Sequence, residues 1–377
     1  MNEITISPAL ETEAEEVLEL LKSTLHFKDY TQERFLRNFQ NPDYLRHRQE
    51  AGACAFLLRD RGKPIGFTES VCRELWVKQQ MLLACIGGTL YLKEGEKEAL
   101  PNLIYTLFDQ PCYNLNLANT ANKKSAQINK ILRSLPGPPS CEFCRFRVLS
   151  THSYLLYASG KLRVSSRIPL SIRKWASFMT APLFSLFSPF RAPSLPPEKT
   201  TFISRQIKWI DPVIFDLFWE ELLAGNQGLL TSRRTDVLEW TFGKGLKTGR
   251  YTILGRFDKT GRLLGEITLE RRQSESGSLY RVVDWIALRK DQDVLGDLLR
   301  DAVLFVTREK GFLIELVGFE EKVQPLIAAY LTGKRRLSHG SNTFFVRFKD
   351  KQLKKNAPRL ADDGWFYGPF DGDSCWA

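Results

Sequence analysis

The amino-acid sequence predicts an α/β protein with mixed α+β sheets, in which one fold is used twice in tandem. At 377 residues the chain is too long for one ordinary core and about right for two domains. The order of strands and helices recurs in both halves, and two hairpins, 56–67 and 254–265, match in their Asp, Lys and Gly turns. We therefore predict domains at 1–160 and 201–350, a connector at 161–200 and a tail at 351–377.

The first half opens with a short predicted strand, after which Pro8 and a run of acids begin a helix with apolar residues at helical spacing. A second helix, the hairpin and a buried strand at 81–92 follow. We then predict a helix at 94–107, a strand at 113–118, a helix at 122–135, and strands at 143–149 and 154–157. A proline-rich stretch at 136–139 ends the helix that precedes the last two strands.

The second half repeats this order. Helical spacing at 214–223 and 237–242 precedes the second hairpin. A strand at 280–288, a long helix at 294–310, a strand at 312–317, a helix at 322–331 and a strand at 343–348 complete it. The recurrence of a hairpin, a strand, a helix and a strand in both halves is the basis of the tandem prediction.

The amino-acid composition indicates a soluble globular protein. Hydrophobic residues make up 43% of the chain and charged residues 26%, which is ordinary for a soluble globular protein. The first residues have neither the basic nor the apolar region of a secretory signal, and seven scattered cysteines suit a reducing compartment. We expect a cytoplasmic protein, with contact at the inner face of the membrane as one alternative for its connector.

The connector carries much of the net charge of +11. Nine basic residues and one acid lie between Lys161 and Lys208, which favours an anionic partner such as membrane lipid, RNA or an acidic carrier. Residues 175–190 have no charge and contain several aromatic side chains, between Arg173 and Arg191. They are too few, and too interrupted by prolines, to cross a bilayer. The alternatives are contact with an anionic membrane through Arg173–Arg191, packing between the domains, and a solvated linker.

The element order resembles that of the GCN5-related N-acetyltransferase (GNAT) superfamily, over nearly the whole chain twice. In that family the fourth and fifth strands splay apart and acyl-CoA lies in the gap. The resemblance implies that the loop after the fourth strand binds pyrophosphate through its backbone amides. In the first half this loop reads Lys93-Glu-Gly-Glu-Lys-Glu-Ala-Leu, and Glu94, Glu96 and Glu98 should oppose binding of a polyanion.

In the second half the corresponding loop holds the predicted cofactor-binding residues. These are Leu288, Arg289, Lys290 and the later Gly296, to which the first half adds Asn122, the opening residue of the family's second motif. The resemblance implies acetyl-CoA or another acyl-CoA as cofactor and an amine, small or carrier-linked, as acceptor. Neither loop has the family's full glycine pattern, so an ordinary helix N-terminus remains the alternative for each.

The predicted catalytic residues are Tyr330, Asp284 and Glu266. All three lie in the second half, which we expect to carry the activity, with the first half as a degenerate scaffold. Tyr330 stands where the second motif ends in tyrosine, which implies that its phenol protonates the departing thiolate. Asp284 lies between apolar residues of a strand, where burial would shift its pKa, and Glu266 follows the second hairpin. Either acid would take the proton of the attacking amine, and the alternative for each is a structural role.

Other motifs are incomplete. Cys141 and Cys144 have metal-ligand spacing, but the sequence has no second pair to complete four ligands, so we expect no metal site. The tail from Asp362 to Asp373 is similar to the Trp-containing, Asp-x-Asp tail of some tandem GNAT proteins.

Two alternatives to acyl-CoA chemistry remain. The first is an aminoacyl transferase similar to the Fem family, which also has two GNAT-like domains and would take its donor from tRNA. A basic surface suits RNA, but we predict no long helical-hairpin insertion of the kind that some members carry. The second is a binding or scaffolding protein without catalysis, which the incomplete motifs in both halves favour.

Overall fold

The protein is described here from a computed structural model. The structure describes residues 4–22, 27, 30–50, 52–77, 79–121, 123–137, 139–160, 168–184, 186, 194–225, 228–337, 343–349, 351–356, 368 and 370.

The described chain contains both strands and helices throughout its length. The strands are β1 (Ile4–Pro8), β2 (Ala55–Asp60), β3 (Lys63–Val77), β4 (Gln80–Leu92), β5 (Leu115–Ala121), β6 (Leu135–Pro136), β7 (Phe143–Val148), β8 (Ile203–Ile207), β9 (Leu229–Thr231), β10 (Tyr251–Phe257), β11 (Leu263–Ser274), β12 (Gly277–Ala287), β13 (Leu313–Val317), β14 (Gly333–Arg336) and β15 (Thr343–Phe348). The helices are α1 (Ala14–Lys22), α2 (Gln32–Phe39), α3 (Pro42–Arg46), α4 (Leu100–Phe108), α5 (Lys123–Ile131), α6 (Thr151–Gly160), α7 (Leu170–Phe184), α8 (Pro212–Gly225), α9 (Thr235–Leu238), α10 (Lys244–Lys247), α11 (Gln292–Arg308), α12 (Gln324–Tyr330) and α13 (Lys351–Asn356).

These elements form two mixed sheets flanked by helices, which confirms the predicted fold class. Within the described ranges, the first sheet has the order β1-β2-β3-β4-β5-β15-β6, with β9 paired to β3. The second has the order β14-β7-β13-β12-β11-β10-β8. In each sheet the hairpin strands and the fourth strand are antiparallel, and the fourth and fifth strands are parallel. The two halves therefore repeat one topology.

The sheets exchange a strand. β7 comes from the first half of the sequence but pairs with β13 and β14 of the second sheet. β15, near the end of the chain, pairs with β5 and β6 of the first sheet. Sheet membership therefore departs from the ranges 1–160 and 201–350 at these two strands and at β9, which pairs with β3 of the first sheet. As domain boundaries those ranges stay a prediction.

A helical pair stands where the sequence predicted a strand at 154–157 and a connector. α6 packs Tyr154 and Tyr157 on the second sheet, where their rings lie beside Phe146 and Phe312. α7 packs on α6 through Ser177, whose hydroxyl lies 3.1 Å from Nδ1 of His152. The strand prediction was wrong because a short apolar run of four residues fits a helix as well as a strand.

Each sheet has its own apolar core, and aromatic side chains join the halves. The larger core lies between the second sheet and α8 and α11, and its largest fully buried side chain is Trp285. The other main core lies between the first sheet and α1, α2 and α4. Trp76 of β3 meets Trp219 of α8 edge to face, with ring centroids 6.5 Å apart. Pairing of β9 with β3 extends this contact between the halves.

Candidate functional site

Both halves contain a gap between the fourth and fifth strands, and in both it begins at a β-bulge. In the first sheet the parallel pairing of β4 with β5 reaches Ile86 and Leu117, and then β4 carries two residues, Gly88 and Thr89, opposite Glu69. A bulge bends its strand and increases the local twist. β4 therefore turns away from β5, which stays paired with β15.

The second sheet repeats this geometry. Pairing of β12 with β13 reaches Val282 and Leu316, and Val283 is the extra residue of the bulge on β12. The shared position of the bulge is a structural repeat that residue identity does not reveal. It places an equivalent gap in each half.

Aromatic side chains fill the gap of the second half. Trp285 of β12 is fully buried, meets the Phe319 ring at 5.4 Å and donates from Nε1 to the carbonyl oxygen of Leu295 at 3.0 Å. Gly368, from the tail, packs so closely on Phe319 that a Cβ there would lie 2.8 Å from the ring. Residues 283–287 are all buried. A ligand could enter here only if these rings moved.

The loop after β12 already binds a carboxylate of its own. Leu288, Arg289 and Lys290 form a single helical turn, in which Arg289 and Lys290 both have φ of 54°. Asp291 then caps α11, since its Oδ1 accepts from the amides of Asp293 and Val294 at 2.9 and 3.1 Å. Lys290 Nζ lies 3.0 Å from Oε2 of Glu320. The amides and the cation that a pyrophosphate would use are thus engaged, and the cofactor role of this loop stays a prediction.

Tyr330 ends α12, on the helix that the sequence predicted, and its phenol reaches α11. A Cβ at Gly296 would lie 3.0 Å from the Tyr330 hydroxyl oxygen, so the absence of a side chain at 296 makes room for the phenol. Tyr330 is 1% exposed, and its hydroxyl has no hydrogen-bond partner among the described residues. Burial, with Asp297 nearby, raises the pKa of Tyr330. The structure brings Tyr330 and Gly296 together, while their roles in catalysis and cofactor binding stay predictions.

Glu266 and Asp284, predicted separately, lie together on neighbouring strands. Asp284 pairs in register with Thr268, whose hydroxyl donates to Oε2 of Glu266 at 2.9 Å. Burial, the charge of Asp284 and a hydrogen bond to it raise the pKa of Glu266 well above its ordinary value. The folded protein therefore favours the neutral form of the Glu266 carboxyl, and its catalytic role stays a prediction.

The sequence analysis missed Arg233, which neutralises Asp284. Nε and Nη2 of Arg233 each donate to Asp284 at 2.8 Å, and both side chains are buried. This bidentate geometry is the strongest form of a charged hydrogen bond in proteins. Fifty-one positions separate the partners along the chain, so no local pattern could have indicated the pair. As long as this ion pair is intact, the Asp284 carboxylate is bound to the Arg233 guanidinium.

The tail contributes Phe370 to the junction of the halves. Its ring is fully buried and lies 5.0 Å from the guanidinium of Arg73 on β3 and 4.7 Å from that of Arg233. A cation over an aromatic ring is attracted by the ring, and more strongly where water is excluded. Asp371 and Asp373 lie outside the described residues.

The gap of the first half is more open. Gly87 and Gly88, at the bulge of β4, are half-buried, whereas the equivalent residues of β12 are buried. Beside them lies Glu69, whose Oε2 accepts from the Tyr30 hydroxyl at 2.5 Å and from Nδ2 of Asn38 at 2.9 Å. Burial raises the pKa of Glu69. A carboxyl with a raised pKa at the edge of a gap has the properties of a general base.

The loop after β4 differs from its counterpart in the second half. The residue that precedes α4 is Ala99, which gives no side-chain cap, so the first amides of the helix are not bound by a carboxylate as those of α11 are. Glu94 and Glu98 are exposed on this loop, and Glu96 is half-buried. Asn122, the remaining predicted cofactor residue, lies outside the described residues.

Two further features are absent from the part of the chain that the structure describes. There is no group of three or more His, Cys, Asp or Glu side chains placed to hold a metal ion. No helix in this part is both long and apolar enough to cross a membrane. Cys144, one of the two cysteines with metal-ligand spacing, has its Sγ 3.8 Å from Oε2 of Glu315, and burial raises the pKa of this thiol to about 12.

Comparison with known proteins gives fold relatives only at low sequence identity. No protein-family model matches the chain, and no curated protein matches its sequence. Among solved structures, N-myristoyltransferase from Saccharomyces cerevisiae with bound myristoyl-CoA is similar, with a TM-score of 0.53 and 12% identity over 92% of this chain and 83% of that one.

Two bacterial structures are similar over the same share of this chain. One, described as a probable N-acyltransferase from Enterococcus faecalis, has a TM-score of 0.57 and 10% identity over 92% of this chain and 73% of that one. The other, a GCN5-related N-acetyltransferase from Anabaena variabilis, has a TM-score of 0.54 and 9% identity, with the same coverage. At these identities the likeness concerns the fold, and it confirms that the chain has a tandem GNAT fold.

Proposed function

We propose that the protein is an acyl-CoA-dependent N-acyltransferase and that its acyl donor binds in the gap of the first half. The observation that carries the proposal is the bulged and splayed β4, whose glycines are half-buried beside Glu69. The fold relatives support it, since their descriptions name acyl transfer and one contains bound myristoyl-CoA. The donor would be acetyl-CoA or another acyl-CoA, and the acceptor a small or carrier-linked amine.

The reaction is direct transfer. The amine nitrogen attacks the thioester carbonyl carbon, the carbon–sulfur bond breaks, and the CoA thiolate leaves and takes a proton. The amine must lose a proton, and we assign its acceptance to Glu69, which lies beside the β4 bulge and whose pKa is raised by burial, so that its carboxylate is more basic than an ordinary one. Tyr30 and Asn38 hold this carboxyl in place through their hydrogen bonds. A positioned base of this kind contributes about a hundredfold or more to the rate.

Acidic residues near the donor weaken its binding without excluding it. Glu94 and Glu98 are exposed, and a like charge about 4 Å away in water costs only about 1 kcal/mol before salt screening. Lys93, also exposed, offsets part of this repulsion. We therefore expect weak, salt-dependent binding of CoA in the first half.

The second half offers another version of the site, built on Tyr330, Glu266 and Asp284. Its support is that the structure brings the two acids together and places the Tyr330 phenol beside Gly296. Trp285 and Phe319 would have to leave the gap before a donor could enter. We prefer the first half because Gly87 and Gly88 at its bulge are half-buried, whereas the equivalent residues of β12 are buried.

A matched pair of variants tests the choice. Glu69 and Glu266 are both buried glutamates with raised pKa, one in each half. Thiol release from acetyl-CoA and longer acyl-CoAs would be measured with a panel of amines. Glu69→Gln should lower the rate about a hundredfold, and Glu266→Gln should leave it within a few-fold. The reverse pattern would place the reaction in the second half.

Donor binding also tests whether the protein is an acyl-CoA-dependent transferase at all. If no acyl-CoA binds by calorimetry but aminoacyl-tRNA does, the Fem-like alternative replaces it. If neither donor binds, the tandem fold serves as a scaffold, consistent with the filled second gap.

A further inference from the structure

Helix α7 turns its large apolar side chains to the solvent. Ile172, Trp175, Met179 and Leu183 follow one another at spacings of three and four residues, so they form one stripe along the helix. Their exposed fractions are 55%, 65%, 56% and 64%. Phe178 beside the stripe is 68% exposed. We call these five residues the α7 stripe.

The opposite side of α7 is the one that packs on the protein. Ser177 is buried and hydrogen-bonded to His152 of α6. Arg173, four residues earlier, lies 3.1 Å from Glu275 and close to Gly160. Ala181, four residues later, is half-buried. The inward residues are thus small or polar, and the outward ones are large and apolar.

This arrangement is the reverse of an ordinary surface helix, which buries its apolar stripe and exposes its polar face. Exposed apolar side chains occur singly on most proteins, but a contiguous stripe of five marks an interaction surface. Phe178 meets the His152 ring of α6 edge to face, with ring centroids 5.9 Å apart, yet it stays 68% exposed. The other four members of the stripe are also more than half exposed, so burial on the described part of the fold stabilises the stripe little. An outside partner is therefore needed to remove these side chains from water.

Charge indicates the kind of partner. Helix α7 has no acidic residue, and Lys174 at the flank of the stripe is exposed. Between Lys161 and Lys208 the sequence has nine basic residues and one acid. Aromatic and aliphatic side chains next to cations are typical of helices that lie in the interface of an anionic bilayer. Tryptophan in particular favours the depth of the lipid headgroups.

We propose that the α7 stripe binds the surface of an anionic lipid bilayer, with the helix axis parallel to it and the stripe at headgroup depth. The helix has 15 residues and contains Pro182, so it lies on the membrane and does not span it. The proposal is independent of the acyl-transfer reaction. It selects one of the alternatives that the sequence left open, because Trp175, Phe178 and Phe184, which packing between the domains would bury, are exposed. Phe187, the fourth aromatic residue of that alternative, lies outside the described residues.

A second copy of the chain is the main competing partner. Two copies joined through this stripe would bring two basic connectors together, and like charges oppose such a contact at low salt. An anionic membrane has the opposite sign and is attracted by the same charges. Charge therefore favours lipid over self-association.

The test is co-sedimentation of the full chain with vesicles of phosphatidylcholine, alone or mixed with phosphatidylglycerol. We expect binding to the mixed vesicles at low salt, and partial release at high salt because the apolar contacts remain. Trp175→Ser combined with Met179→Ser should weaken binding at least about tenfold, since two large side chains no longer leave water. The matched control is Trp209→Ser combined with Val213→Ser, because these residues are 67% and 80% exposed on another part of the protein.

Each result decides the proposal. Binding that is lost in the α7 variant and kept in the Trp209 variant supports it, provided that thermal unfolding of both variants matches the parent. Absence of binding to phosphatidylglycerol vesicles, or equal binding by the two variants, overturns it. So does a dimer in sedimentation velocity that the α7 variant alone converts to a monomer.

Discussion

Glu266 gives a pH-dependent stability that can be measured without knowing a substrate. Burial and the adjacent Asp284 raise its pKa in the folded protein well above the ordinary value of 4.5. As pH rises above that ordinary value, the unfolded chain ionises at Glu266 while the folded chain keeps the proton. The folded state therefore loses stability as pH rises, by about 1.4 kcal/mol per pH unit, until the folded pKa is reached.

Glu266→Gln removes this contribution because a glutamine does not ionise. From pH 5 to pH 7 the stability of the variant relative to the parent should rise, by at most about 1.4 kcal/mol per pH unit. The free energy of unfolding would be measured by urea titration at several pH values. Only the difference between parent and variant is used, so that other titrating groups cancel.

A neighbouring glutamate supplies the control. Glu270, on the same strand, is ion-paired with Arg250 and Arg272, so Glu270→Gln removes two attractions and should lower stability at neutral pH. The two substitutions should thus differ in sign at pH 7. A difference in stability between parent and Glu266→Gln that stays constant from pH 5 to pH 7 would refute the raised pKa of Glu266.

Three further outcomes follow from the same structure. Arg233→Met leaves Asp284 buried without its partner and should cost about 3–5 kcal/mol in urea unfolding; a loss below 1 kcal/mol would show that the pair is solvated. Phe370→Ala should cost about 3 kcal/mol by thermal unfolding, and an unchanged midpoint would mean that the tail does not pack there. Tyr330→Phe removes a buried hydroxyl with no partner among the described residues and should leave stability unchanged or raise it by about 1 kcal/mol. A hundredfold loss of acyl transfer at full stability would instead identify Tyr330 as the proton donor.

Local patterns in the sequence predicted most of the elements and their repetition. Hairpins, the strand at 280–288 and the helix at 294–310 depend on periodicity over neighbouring residues, which a sequence shows directly. The exchange of β7 and β15 could not be predicted, because strand pairing over about 200 positions is decided by packing of the whole fold. The predicted topology was nevertheless correct. Each exchanged strand takes the corresponding position in the other sheet, so the strand order of both sheets is preserved.

The site was harder to predict than the fold. The sequence analysis selected Glu266, Asp284 and Tyr330 as candidate catalytic residues, and all three are buried in the second half. Arg233 was missed because its partner is distant in sequence. Glu69 follows the first hairpin as Glu266 follows the second, and only the bulge of β4 and the contact with Tyr30 distinguish it as a candidate base.

Hydrogen exchange in the presence of acetyl-CoA tests the central claim most directly. The account predicts protection of amides in β4 from Gly87 to Leu92 and at the start of α4, with no change in residues 283–287 of β12. Glu94→Gln combined with Glu98→Gln should tighten binding several-fold and strengthen this protection, because two like charges are removed. Protection confined to β12 and the loop at 288–291, unchanged by that double substitution, would contradict the placement of the donor in the first half.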